Sequence, residues 1–163
     1  MSVSPHDHMD NRFRAHVEAL HPSLLDLIAM APVSAPTLPR GMPARGVYLF
    51  SEGERHLYVG RTNRLRQRLL EHGRQSSGHN SAPFAFLLAR KATGRTTATY
   101  QTNGSRGQLE ADPLFAAAFT AAKQRVRAMN IRFVEQLVPL GQALLEIYVA
   151  VALQTPHNDF DTH

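Results

Sequence analysis

Apolar residues recur with helical spacing near the start of this 163-residue chain and with strand-like runs further on. Between residues 10 and 30 they fall at Val17, Leu20, Leu24, Leu25, Leu27 and Ile28, which predicts one or two helices with a break at Pro22. The stretch APVSAPTLPRGMPARG carries four prolines and two glycines and reads as an extended connector. GVYLF and LYVG are short apolar runs on either side of the turn residues SEGERH, so they predict a β-hairpin. Thr62 or Asn63 stands where a cap belongs, ahead of a helix whose apolar positions are Leu65, Leu69 and Leu70.

Further along, PFAFLLAR predicts a second helix or buried segment. Residues 92–108 are rich in Gly, Thr and polar side chains and read as a flexible excursion, such as a surface hairpin. Asp112 followed by Pro113 is a cap and first-turn signal for a helix through FAAAFTAAKQRVRAM. IRFVEQL predicts a third strand, and QALLEIYVAVAL a final, almost wholly apolar helix. Neither an internal repeat nor a heptad pattern is present.

Composition adds limits. The length suits one domain with a sizeable core, and 43% apolar content argues against disorder. Without cysteine there are no disulfides and no thiolate metal sites. The first ten residues lack the basic-then-apolar layout of a signal peptide, and no apolar run is long enough to span a bilayer. The expectation is a soluble cytoplasmic protein with no membrane partner.

Charge changes the picture more. The formal net charge is +5, and the segment from Arg55 to Arg74 alone holds six arginines against one acid, Glu71. The rest of the chain balances 12 basic residues with 12 acidic ones, so the whole excess sits in twenty residues. A basic patch on a neutral body attracts polyanions, nucleic acid first among them; the plain alternative is a solvated helix face. No helix-turn-helix, zinc-finger or basic-zipper signature accompanies it.

Three sets of residues carry candidate chemistry. Glu146 is the one carboxylate among ten apolar or aromatic residues in 143–153, and it shares a helical face with Val149, Ala150 and Leu153. A buried acid needs a cation, a metal or hydrogen bonds, so it is either an ion-paired core acid, with Arg132 as a partner, or a Mg²⁺ ligand. Arg68 and His72 stand four apart on one helix, at the edge of its apolar stripe. There an arginine either snorkels or faces a phosphate. Tyr48 and Tyr58 end the two hairpin runs, where tyrosines ordinarily pack.

Together these residues resemble the GIY-YIG nuclease family. The matching motifs are Gly46-Val47-Tyr48 and Tyr58-Val59-Gly60, followed by Arg68, His72, Glu146 and Asn158 in the family's order. The likeness covers residues 45–90 and 130–163. It implies an N-terminal helical extension and connector at 1–40, then a nuclease-like domain at 41–163 with an inserted segment at about 91–129.

The resemblance implies an α/β (α+β) fold, with a central three-stranded antiparallel sheet flanked by helices. It also implies a Mg²⁺- or Mn²⁺-dependent DNA endonuclease. Glu146 would hold the metal and Arg68 would face the phosphate. Tyr48, Tyr58 or His72 would activate water, with Arg61 a candidate perturber of a tyrosine, and Asn158 would orient a water, the phosphate or a catalytic side chain. Arg61, Arg64, Arg66 and Arg74 would bind DNA. Cleaving both strands with one such set per chain points to a homodimer, with a monomer that nicks one strand at a time as the alternative. Two other readings remain open: a catalytically silent DNA-binding module of the same fold, and a protein whose arginine segment docks an acidic partner.

Overall fold

A computed structural model describes residues 8–96 and 105–160. Three short antiparallel strands form its centre: β1 (Gly46–Glu52) lies between β2 (Arg55–Thr62) and β3 (Asn130–Glu135). β1 is buried along all but its last residue, as expected of a central strand covered on both faces. The hairpin loop is shorter than the sequence implied, because Glu52 pairs with Arg55 and only Gly53 and Glu54 remain between the strands. Gly53 takes φ +55°, a left-handed value that glycine adopts without strain. A bulge then leaves Leu57 as an extra residue on β2, since Phe50 pairs with Tyr58 but Ser51 with His56.

Helices cover both faces. On one side, α2 (Leu20–Ala29) and α7 (Pro139–Leu153) pack Leu24, Leu27, Leu145 and Val149 against Val47, Leu49 and Val59. On the other side lie α3 (Leu65–Gly73), α4 (Pro83–Thr93) and α6 (Pro113–Arg127). They bury Leu69, Phe84 and Phe115 with Tyr48, Phe50 and Ile131. α1 (Asn11–Glu18) precedes α2, and the short α5 (Arg106–Ala111) precedes α6. Two faces of one sheet thus carry two separate apolar cores. No helix among the described residues is long and apolar enough to cross a membrane.

Local sequence chemistry explains some of the helix ends. Asp112 accepts from the backbone N–H groups of Leu114 and Phe115, and Pro113 occupies the first turn. The break between the first two helices falls at Ala19 rather than Pro22. Pro22 is the third residue of α2, where its missing N–H leaves no helical bond unmade. The predicted cap of α3 is also displaced: Arg64 is its N-cap, while Thr62 Oγ1 accepts from the Arg64 N–H one residue early.

The third strand ends at Glu135, and α7 starts at Pro139, ahead of the predicted Gln142, because proline suits a first helical turn. The connector is pinned rather than loose. Val33 bridges to Ile131, and Arg66 Nη1 donates to the carbonyls of Leu38 and Pro39. Within the predicted excursion, 92–93 finish α4 and 106–108 open α5, while 97–104 lie outside the described residues.

Candidate active site

The two motif glycines have steric reasons. Gly60 pairs with Tyr48 across the hairpin, and a Cβ on Gly60 would overlap the Tyr48 phenol. A Cβ on Gly46 would strike the carbonyl of Val134 on β3. Glycine therefore lets the Tyr48 ring cross the neighbouring strand and lets β3 approach closely.

Tyr48 Oη lies 2.8 Å from His72 Nε2, and both side chains are buried. Burial, and secondly the charge of Arg68, push the His72 pKa down to about 3, so the ring is neutral at ordinary pH. Its Nδ1 is buried with no partner. We assign the proton to Nε2, which donates to Tyr48. The other tautomer would bury an unpaired N–H.

Burial also drives the Tyr48 phenol well above its usual pKa, followed by Tyr58; Arg68 opposes the shift. Tyr58 is raised by burial and then by Glu146, again against Arg68. Arg68, not the expected Arg61, is therefore the cation that acts on both phenols, and both remain neutral hydroxyls. Tyr58 is only half-buried and stacks on Phe84, with ring centroids 4.5 Å apart and planes 7° from parallel.

Arg68 extends from α3 with its side chain 24% exposed, and its Nη1 donates to the Asn80 carbonyl at 3.2 Å. Glu71 lies 3.9 Å away on the same helix. His72, at the next turn, is fully buried rather than at the stripe's edge.

Glu146 stands on the opposite side of β2. Tyr58 and Gly60 share the face that carries α3, whereas Val59 and Arg61 share the face that carries α7. Arg61 Nε donates to Glu146 Oε2 at 2.9 Å, so the carboxylate's partner is Arg61. The expected partner, Arg132, donates instead to the Met30 carbonyl. Burial raises the Glu146 pKa, and the Arg61 hydrogen bond and charge pull it back. β2 is an edge strand, so the site wraps the rim of the sheet.

No three His, Asp or Glu side chains converge as a metal cluster among the described residues. Mg²⁺, however, commonly takes one or two protein carboxylates and completes its shell with water and substrate phosphate. Glu146 is the carboxylate that would supply such a ligand, and in this structure its Oε2 is held by Arg61.

Asn158 has a different place from the expected one. Its Oδ1 accepts from the Val59 N–H at 2.9 Å and its Nδ2 donates to the Val59 carbonyl at 2.8 Å. Thr155 Oγ1 also donates to Oδ1, and the His157 N–H donates to the Leu57 carbonyl. The side chain thus imitates a neighbouring strand and seals the β2 edge. It is a positioning residue for the hairpin.

Of the expected DNA-binding arginines, Arg64 and Arg74 are exposed at the two ends of α3. Arg66 is tied to the connector, and Arg61 to Glu146. The Arg61–Glu146 pair escaped sequence reasoning because 85 positions separate its members. Strand alternation after Val59 was the available signal. Comparison with family models, with curated proteins and with solved structures finds no match to this chain.

Proposed function

We propose that this chain is a divalent-metal-dependent DNA endonuclease of the GIY-YIG kind. One observation carries the reading: a half-buried carboxylate, Glu146, the one charged residue of α7, is bonded to Arg61 of the same edge strand that carries Tyr58. Desolvating an acid is costly, and a purely structural helix would avoid it.

Hydrolysis joins a water oxygen to phosphorus and breaks the bond to a sugar oxygen, while negative charge grows on the phosphoryl oxygens. Arg68 meets that charge, and one well-placed donor is worth ~10²–10³ in rate. The Asn80 and Ser81 carbonyls hold its guanidinium in place. Tyr58, the more exposed phenol, orients the water or donates to phosphate as a neutral hydroxyl. Tyr48 and His72 support it from beneath as a buried pair. Glu146 would hold Mg²⁺ or Mn²⁺, which when bound polarises a phosphate oxygen and stabilises the leaving alkoxide. Arg61, Arg64 and Arg74 supply attraction to the duplex. Because each chain has one such set, a homodimer is the assembly proposed for cutting both strands.

The test is incubation of supercoiled DNA with Mg²⁺ or with EDTA. Cutting should require the metal, and Glu146→Ala should reduce it by at least ~10²-fold with its circular dichroism unchanged. Cleavage persisting in EDTA, or full activity in the variant, defeats the proposal. A second reading, a silent DNA-binding module, draws on the Arg61 ion pair that neutralises Glu146. Salt-sensitive DNA binding with no cleavage under any metal would select it.

A further inference from the structure

A small basic cavity lies between α4 and the start of α5. It has a volume of about 100 Å³ and is lined by His79, Pro83, Phe86, Leu87, Arg90 and Arg106. That is well above the ~10–15 Å³ needed to hold one water, so the space admits a small anion.

The walls favour an anion. The Arg90 guanidinium stands 5.9 Å from the centre of the Phe86 ring, and its Nε donates to the Arg95 carbonyl. Arg106 is exposed, and its positive charge bears on Arg90. Neither arginine has a carboxylate ion-pair partner among the described residues. Two cations facing one small cavity repel each other, and an anion placed there relieves the repulsion. Glu110 fixes the third polar wall: it accepts from the His79 N–H at 2.6 Å and lies 2.5 Å from Nδ1, which leaves Nε2 as the ring's remaining polar edge.

The cavity is joined to the candidate active site through one loop. His79 immediately precedes Asn80 and Ser81, whose carbonyls hold Arg68.

We infer that this cavity is a second phosphate-binding point, taking a backbone phosphate of bound DNA other than the one to be cut. The inference rests on the nuclease reading for the source of the phosphate, though not for the chemistry of the cavity. Arg90 and Arg106 hold the phosphate, and the buried Phe86 ring forms part of the wall beneath it.

The experiment uses the full chain in EDTA, so that DNA is bound and not cut. Anisotropy of a labelled duplex long enough to cross both α3 and α5 is measured across a salt series. Arg106→Ala changes an exposed side chain and should weaken binding by roughly tenfold and lower the log–log salt slope by about one. A short duplex covering only the α3 side around Arg68 should bind both proteins equally. In parallel, inorganic phosphate is titrated into isotope-labelled protein. The amide signals of His79 and Phe86 should move in the wild type and stay still in Arg90→Met/Arg106→Ala. Phosphate shifts in a protein that binds no DNA would keep the cavity as a site for a free phosphate ester and defeat the nuclease reading. Long-duplex affinity and slope unaltered by Arg106→Ala, with no phosphate shifts, overturn the inference.

Discussion

Tyr48 and Tyr58 carry the same hydroxyl in different surroundings, and the difference separates their roles. Tyr48 Oη is buried against His72, so Tyr48→Phe strands a buried imidazole N–H. The expected loss is about 1–3 kcal/mol, read from urea unfolding. Tyr58 is half-buried, and its ring is already well packed on Phe84. Tyr58→Phe should leave stability within about 0.5 kcal/mol of wild type while plasmid cleavage falls roughly tenfold or more. A Tyr58 variant that cuts normally would make that ring a packing residue and nothing else. The spacing of the two motifs already placed both tyrosines on one hairpin. Their unequal depth was not legible, because it depends on α3 and α4 arriving from elsewhere in the chain.

At the scale of elements, the β2 edge is the most exposed commitment in the fold. An open edge strand presents unpaired backbone groups, and here the Asn158 amide covers those of Val59. Asn158→Ala should speed hydrogen exchange at the Val59 amide and cost about 1–3 kcal/mol. Asn158→Asp retains the acceptor for that N–H and should restore much of its protection, without restoring the bond to the Val59 carbonyl. Equal protection in wild type and Asn158→Ala would remove the edge-sealing role.

Strands and caps that depend on neighbouring residues were readable: the hairpin, the Asp112 cap and the third strand all follow from local chemistry. Partnerships between distant elements were not. Nothing near Glu146 distinguishes Arg61 from Arg132, and only the packing of α7 on the Val59 face decides between them.

The molecule as a whole registers pH through His72. Its pKa is about 3 in the folded protein, against an ordinary value of about 6.5 once unfolded. The folded state therefore refuses a proton that the unfolded chain accepts. Stability from this group is complete above about pH 6.5 and drains away as pH falls towards the folded value, at about 1.4 kcal/mol per pH unit. His157, pushed down to about 4 chiefly by burial, adds a second contribution of the same sign. Urea midpoints between about pH 6.5 and 5 should slope accordingly, and His72→Phe should make the slope shallower by one proton. An identical slope in that variant would show that His72 is not the group being titrated.

The separation of the two cores has one more consequence. Tyr48, Tyr58, Arg68 and His72 belong with the layer of α3, α4 and α6, whereas Glu146 rides on α7 with α2 behind the sheet. On the proposed reading neither half cuts alone. On that same reading a chain without α7, or a copy whose rear layer has melted, is a disarmed hydrolase, and DNA meets a competent blade only when both layers are in place.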